Sequence, residues 1–334
     1  MIQEMKISYI IPFYNGQDTI LKCLNSIYSV GLMDDELEII IVDDCSPITA
    51  ESVLHDYIEL HHNVRVLRHT VNKRQGGAKN TGINAAKGKY IAFADQDDVI
   101  NAEHVRSALA FAQDCDVDML ACHYNLLQKT GDIKEKGIDR GDKTIMSGKE
   151  FCEHYFQSGY NLAPWANLYK REFLCRIAHP YEENVVMEDS DWIAWHWIHA
   201  NKVGIYNQPI YTWVMNPSSI THSYHYVNRA DWIKYGYRKI RDARIYRDLS
   251  VHFSDIMVRD GQQNIEGGMR KAWKVDSYRK YYSHIGTNVL KELANMRWSV
   301  LTGAMLAYPR MSIGVLSVVG PVLKSMVNVK SLCE

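Results

Sequence analysis

The sequence of this 334-residue chain predicts an α/β fold: a mostly parallel sheet flanked by helices, followed by a helical C-terminal extension. Three observations predict it. Short apolar runs alternate with segments of helical spacing as far as residue 122, the rhythm of βαβ units. Those runs are apolar at nearly every position, as in strands covered on both faces. From about residue 224 the pattern becomes helical and rich in Arg, Lys, Tyr and Trp.

The elements follow in order. Ile7–Ile11 is an apolar run stopped by Pro12, a buried strand. Residues 17–30 place Ile20, Leu24, Ile27 and Tyr28 at helical spacing, with Gly31 as a C-cap. Residues 38–42 form a second strand that ends in Asp43-Asp44. A helix over 49–60 and a strand over 64–67 come next. A glycine-punctuated helix over 76–87 leads to a strand over 89–94, which ends in Asp95-Gln96-Asp97-Asp98. A helix over 101–113 and a strand over 117–122 complete the repeat. Residues 124–145 are polar and read as a hairpin or mobile loop. Helices over 147–157 and 187–201 and a strand near 203–214 follow.

Composition excludes more than it assigns. At 46% hydrophobic and 23% charged, the chain has enough apolar side chains for a sizeable core and is neither disordered nor a polytopic membrane protein. The seven cysteines are odd in number and lack C-x-x-C spacing, which supports neither a disulfide framework nor a structural zinc site. A reducing cytosol is the expected compartment. The N-terminal residues do not read as a signal peptide. The net charge of -1 hides an asymmetry: residues 1–223 carry 20 basic and 30 acidic side chains, and residues 224–334 carry 18 and 9.

Polar residues gather where apolar strands end, and ligands of open α/β sheets bind at the carboxyl ends of strands. Pro12-Phe13-Tyr14-Asn15, Asp43-Asp44-Cys45-Ser46 and Asp95-Gln96-Asp97-Asp98 mark three such ends. Five carboxylates on one rim are costly unless something positive lies among them. Asp-x-Asp offers hard oxygen ligands suited to Mg²⁺ or Mn²⁺, whose shell a phosphorylated substrate completes. The alternative for Asp98 is an N-cap on the helix that follows. The stretch Arg74–Gly82 opens a helix with glycines and offers an anion site, or simply close helix–sheet packing at Gly82.

Taken as a set, IIPFYN, IIIVDDCS and GGAKNTGINAAKGKYIAFADQDD, with PWANLYKREFL (164–174), MEDSDW (187–192) and SSIT (218–221), resemble family 2 glycosyltransferases of the GT-A fold. The resemblance covers residues 7–222. It implies a GT-A domain over 1–223, with a nucleotide-sugar-binding half over 1–115 and an acceptor half over 116–223. The basic helical region spans 224–334. By this resemblance Pro12, Tyr14, Asn15 and Asp44 hold the donor's nucleobase, Asp95 its ribose, and Asp97 is the metal ligand. Lys79 stands where the family usually has Arg and is expected at the base or phosphate, as a point charge without the guanidinium fork. Cys45 replaces the usual glycine of that turn. Asp189, of the Glu188-Asp189 pair, is implied as the base; such a transfer needs a carboxylate within reach of the acceptor hydroxyl. The alternative for Glu188, Asp189 and Asp191 is charges favourable to a helix N-terminus. Trp165 is the candidate acceptor contact, Trp192 and Trp195 read as core, and His222 is a candidate metal or phosphate ligand.

In the C-terminal region, Trp232, Tyr235, Ile240 and Ile245 are expected to form an inner face. Residues 299–323 are apolar, but the run after Arg310 is 13 residues, short of the about 20 that span a bilayer. That region either packs as ordinary helices or lies on an anionic membrane surface drawn by its basic surplus. No nucleic-acid recognition module is visible.

The resemblance therefore implies an inverting, Mn²⁺- or Mg²⁺-dependent transferase. It would move a sugar from a nucleotide-diphospho-sugar, a UDP-sugar by family likeness, to a glycan or lipid-linked saccharide in surface polysaccharide synthesis. Its expected place is the cytoplasm or the inner face of the membrane. A sugar nucleotidyltransferase and a non-catalytic nucleotide-sugar-binding protein are the alternatives.

Overall fold

The computed structural model describes residues 5–138, 141–155, 163–216, 225–270 and 274–294. The chain divides into two compact units, Met1–Asn216 and Pro217–Glu334. The change of composition at 223/224 falls within 217–224, outside the described residues.

In chain order the first unit contains β1 (Ile7–Phe13), α1 (Ile20–Tyr28), β2 (Leu37–Asp43), α2 (Ala50–Val53), α3 (His55–Leu60) and β3 (Val64–Arg68). Next come α4 (Arg74–Ala85), β4 (Tyr90–Phe93), β5 (Val99–Ile100), α5 (Ala102–Cys115), β6 (Met119–Leu127), β7 (Ile133–Lys136) and β8 (Ile145–Met146). It closes with α6 (Gly148–Tyr155), β9 (Asn167–Lys170), α7 (Arg171–Ile177), α8 (Asp189–His199) and β10 (Val203–Val214).

The sheet order is β3-β2-β1-β4-β9-β6-β10-β5, with β7 beside β6 and β8 beside β10. The expected parallel pairing holds across β3-β2-β1-β4 and again between β6 and β10. β9 lies antiparallel to both β4 and β6 and joins the two halves. β1 is central in its half and buried at every position, which its unbroken apolar run required. Pro12 is tolerated because it sits at the strand's end, opposite Val42.

Helix α1 buries Ile20, Cys23, Leu24 and Ile27, a stripe of 3.6-residue period, against this sheet. The helix read over 49–60 is broken at Leu54, whose φ of -112° and ψ of 14° leave the helical region. Among the two readings of 124–145, the hairpin is realised: β7 folds back on β6, from Leu127 opposite Ile133 to Tyr124 opposite Lys136.

The second unit contains α9 (Tyr226–Arg247), α10 (Val251–Arg270), α11 (Tyr278–Ile285) and α12 (Thr287–Ala294). α9 and α10 cross at Gly236 and Gly261. A Cβ on either would sit 2.5–2.6 Å from the other's carbonyl oxygen. The inner face of α9 is Ile233, Tyr235, Lys239, Ala243 and Tyr246; of the expected Trp232, Tyr235, Ile240 and Ile245, Tyr235 is buried there and Ile240 packs against the same core, while Trp232 is only partly buried. Ile245 is exposed. The buried stripe runs through Lys239, whose ammonium pairs with Asp260, so a hydrophobic pattern alone traced only part of the face. No helix among the described residues is long and apolar enough to cross a membrane. Residues 299–323 lie outside them.

Candidate active site

The carboxyl ends of β1, β2, β3 and β4 deliver the site residues to one rim, as parallel strands must. After β1, Tyr14 is exposed, and Asn15 takes a left-handed φ of 51°. The Asn15 N–H donates to Ser46 Oγ at 2.9 Å, which ties the first turn to the second. Gln96 then clamps Tyr14 from the fourth: its Oε1 accepts Tyr14 N–H at 3.0 Å and its Nε2 donates to Tyr14 O at 2.9 Å. Pro12 is buried within β1.

The five strand-end carboxylates divide by role. Asp43 is internal: it accepts the backbone N–H groups of Ser46 and Ala50 and pairs with Arg68 at 2.9 Å. Asp98 is internal too, accepting the Tyr211 hydroxyl at 2.6 Å and Val214 N–H at 2.8 Å. The N-cap reading of Asp98 is thus not realised. Asn101 stands at the α5 N-terminus without a side-chain cap bond, whereas Asp43 supplies a capping bond to Ala50 at the start of α2. Burial, with Asp95 adding to it, raises Asp98 to a pKa of about 8. Asp44, Asp95 and Asp97 remain for a ligand.

Asp44 is buried, and its Oδ1 receives both His69 Nδ1 at 2.7 Å and Lys73 N–H at 2.8 Å. His69 Nε2 lies 2.8 Å from Thr81 Oγ1 on α4. His69 was missed in the sequence, although it follows β3 directly and so marks a fourth strand end. Cys45 takes φ 63°, the left-handed conformation for which the more usual glycine is suited.

Helix α4 approaches β1 closely at Gly82, where a Cβ would meet Ile10 Cγ2 at 2.3 Å. The expected packing role of that glycine is realised. On α4, Lys79 is 2% exposed. Its Nζ donates to Asp189 Oδ1 at 2.5 Å and Glu188 Oε1 at 3.1 Å, and lies 5.2 Å from the centre of the Tyr181 ring. Burial alone would lower the Lys79 pKa; Asp189, Glu188 and Asp95 outweigh it and hold the ammonium above its ordinary range. The neighbouring Asn80 donates to Tyr181 O at 2.9 Å and accepts Tyr181 N–H at 2.8 Å. The Tyr181 ring stacks on Trp192 of α8 at 4.2 Å. This aromatic support was not legible in the sequence.

Asp189 opens α8, preceded by Met187 at φ 70°. Its side chain is 29% exposed, against 4% for that of Glu188. Burial and the Asp189 charge push Glu188 up to about 7, despite Lys79. Burial likewise raises Asp95 to about 6, with Lys79 opposing and Asp189 and Asp97 adding to it. Asp95, Asp97, Lys79 and Asp189 therefore share one electrostatic neighbourhood.

Trp165, the candidate acceptor contact, is 8% exposed and stacks on Tyr211 at 4.8 Å, where it acts as core. Trp192 is buried as expected, and Trp195 stacks on His179 at 4.7 Å. His222 lies outside the described residues.

The donor set fits a hard divalent cation. Asp97 is partly exposed and its hydrogen bond, from Asn216, is long at 3.5 Å. Asp98, by contrast, has both oxygens engaged. No group of three or more His, Cys, Asp or Glu forms a closed metal cage among the described residues. Mg²⁺-type sites characteristically use one or two carboxylates and complete their shell with phosphate and water.

Residues 8–171 match the family described as glycosyl transferase family 2. An uncharacterized glycosyltransferase of Bacillus subtilis, EpsJ, is 27% identical over 220 residues, 64% of this chain and 62% of that protein. Poly(ribitol-phosphate) β-N-acetylglucosaminyltransferase TarS of Staphylococcus aureus is 27% identical over 235 residues, 68% of this chain and 39% of its own length. The matched regions thus span less than two thirds of these relatives. The crystal structure of TarS residues 1–349 with UDP-GlcNAc superposes with a TM-score of 0.68 at 18% identity, covering 97% of this chain and 92% of that one. A mannosyltransferase of Pyrobaculum calidifontis in complex with GDP-Man and Mn²⁺ gives a TM-score of 0.50 at 15% identity, covering 95% and 87%. The likeness to TarS establishes the GT-A fold. The strand-end motifs, their order and the family match thus fall in one stretch, residues 8–171, which is similar to glycosyltransferase family 2.

Proposed function

We propose that this protein is an inverting glycosyltransferase that moves a sugar from a UDP-sugar to a hydroxyl of a cell-surface glycan or lipid-linked saccharide. The observation that carries this reading is the bond from Lys79, on the helix of the strand-end half, to Asp189 at the start of α8, 2.5 Å long. It supports a meeting of the donor-binding and base-bearing parts of the chain at one place. The choice of UDP and of a surface glycan is supported by TarS, whose structure holds UDP-GlcNAc and whose name gives a poly(ribitol-phosphate) acceptor.

In this reading the Tyr14–Asn15 turn, fixed by Ser46 and Gln96, and Asp44, fixed by His69, receive the nucleobase. Pro12 shapes the strand end that carries the turn. Asp95 takes the ribose. Asp97, with Asp95 beside it, would hold Mn²⁺ or Mg²⁺, which supplies positive charge against the departing diphosphate. The mannosyltransferase that holds Mn²⁺ supports that metal assignment. Asp189 accepts the proton of the acceptor hydroxyl as its oxygen attacks the anomeric carbon. The bond from that carbon to the diphosphate breaks on the opposite face, the diphosphate keeps the electron pair, and the configuration inverts. The +9 charge of residues 224–334 offers an anionic membrane surface a docking region near lipid-linked acceptors.

The test is nucleotide release and product formation from a panel of UDP-sugars with Mn²⁺ present. Asp189→Asn is expected to lower kcat by about 10³-fold, in the range of lost general-base catalysis. Asp97→Ala is expected to remove the metal requirement together with activity. Full transfer by both variants would sink the proposal. Co-sedimentation with vesicles that ignores their anionic lipid content would remove the membrane part alone.

A further inference from the structure

We infer that Lys79 is the positioning residue of the catalytic base, tying Asp189 to α4, and is not a ligand of the donor. This rests on the role proposed above for Asp189. Lys79 sits in the motif where a contact to the donor's base or phosphate was expected. The geometry commits it elsewhere. Its side chain is 2% exposed, its ammonium bonds Asp189 and Glu188, and its charge lies over the Tyr181 ring. An ammonium has three donors, and two of them go to carboxylates 109 and 110 residues away in sequence.

What this does for Asp189 follows from its surroundings. The residue opens α8, two positions after a left-handed Met187. Lys79 holds Oδ1, which leaves the second oxygen to take a proton. Glu188 and Asp189 are adjacent carboxylates, and like charges so close cannot both ionise unless a cation stands between them. Lys79 is that cation. Glu188, the more buried of the two, takes up a proton near neutrality. The one ammonium then balances Asp189, the carboxylate left open to an acceptor.

The experiment uses Lys79→Met and the double variant Lys79→Met/Glu188→Gln. The double variant also removes the buried carboxyl that loses its partner in the single one, which guards against simple misfolding. UDP binding is measured by calorimetry. Turnover is measured as UDP release from whichever of UDP-glucose, UDP-galactose, UDP-GlcNAc or UDP-GalNAc the parent protein uses. The expected result is a UDP Kd within about twofold of the parent, with kcat lower by about 100-fold. A UDP Kd weakened tenfold or more would mean that Lys79 touches the donor, and a kcat within about threefold of the parent would mean that it does not serve the base; either overturns the inference. Asp189→Asn separates the two layers. If it keeps transfer activity, the base assignment itself has failed. If it is inactive while Lys79→Met loses UDP binding, only the role of Lys79 has.

Discussion

The hydroxyl of Tyr211 donates to Asp98 Oδ2 at 2.6 Å and accepts the Asp95 N–H at 3.0 Å, so one phenol fixes both ends of the acidic turn. Trp165 stacks on the same ring at an interplanar angle of 12°. Tyr211→Phe removes both bonds and leaves Asp98 underpaired inside the protein. Urea unfolding is expected to show a loss of about 1–3 kcal/mol. UDP affinity should fall with it, because the turn that carries Asp95 and Asp97 loosens.

His69 bears on the proposed donor site through Asp44, whose Oδ1 it shares with Lys73 N–H. His69→Ala should weaken UDP binding by about tenfold, equivalent to about 1.4 kcal/mol for one lost bond to a charged group. The kcat at saturating donor should change little. Calorimetry with UDP and a donor titration check the two halves of this expectation.

Cys45 holds a left-handed φ of 63°, which costs a side-chain-bearing residue about 1–2 kcal/mol. Its thiol makes a single long contact, to Thr70 O at 3.5 Å. Cys45→Gly removes the strain and adds chain entropy to the unfolded state, a cost of about 0.5–1 kcal/mol. The net expectation is a gain of about 0.5–1 kcal/mol, read from the urea midpoint, with activity retained.

Glu188 binds its proton more tightly folded than unfolded, because burial and Asp189 lift it to about 7 from 4.5. The folded chain therefore carries more protons between those pH values, and this residue's contribution to stability falls as pH rises through that window. It is fully present below about 4.5. The slope is at most about 1.4 kcal/mol per pH unit. Glu188→Gln should flatten that part of the stability–pH curve, measured by urea unfolding across pH 4.5–7. An unchanged slope would show that Glu188 does not titrate there.

The strands of the parallel half were legible because they are unbroken apolar runs, and a short run that is apolar at every position suits a strand covered on both faces and little else. β9 was not. Its four residues, Asn167–Lys170, carry no period long enough to read, and only the partners β4 and β6 make them a strand. The proposed site residues Asp44, Asp95, Asp97 and Asp189 were legible as acidic residues at element ends. Which strand-end carboxylates were already engaged was not, because Arg68 and Tyr211 reach Asp43 and Asp98 from distant positions in sequence. Lys79 shows the same limit from the cation's side: its motif placed it, and its partners lie more than a hundred residues on. In the second unit the inner face of α9 was read only in part, at Tyr235 and Ile240, for a local reason: a lysine lies inside the buried stripe.

Asn80 grips Tyr181 by its main chain alone, one amide group meeting one carbonyl and one N–H. Such a fastening is blind to the side chain at its far end. Apart from Tyr181, whose ring lies under Lys79 and on Trp192, and Glu188, which Lys79 binds, the segment between α7 and α8 can therefore change its composition, or be exchanged with a relative's by design, and still be moored beside Asp189. Grafted segments that keep Tyr181, Glu188 and the two main-chain bonds would inherit the setting of the proposed base while bringing a different acceptor preference.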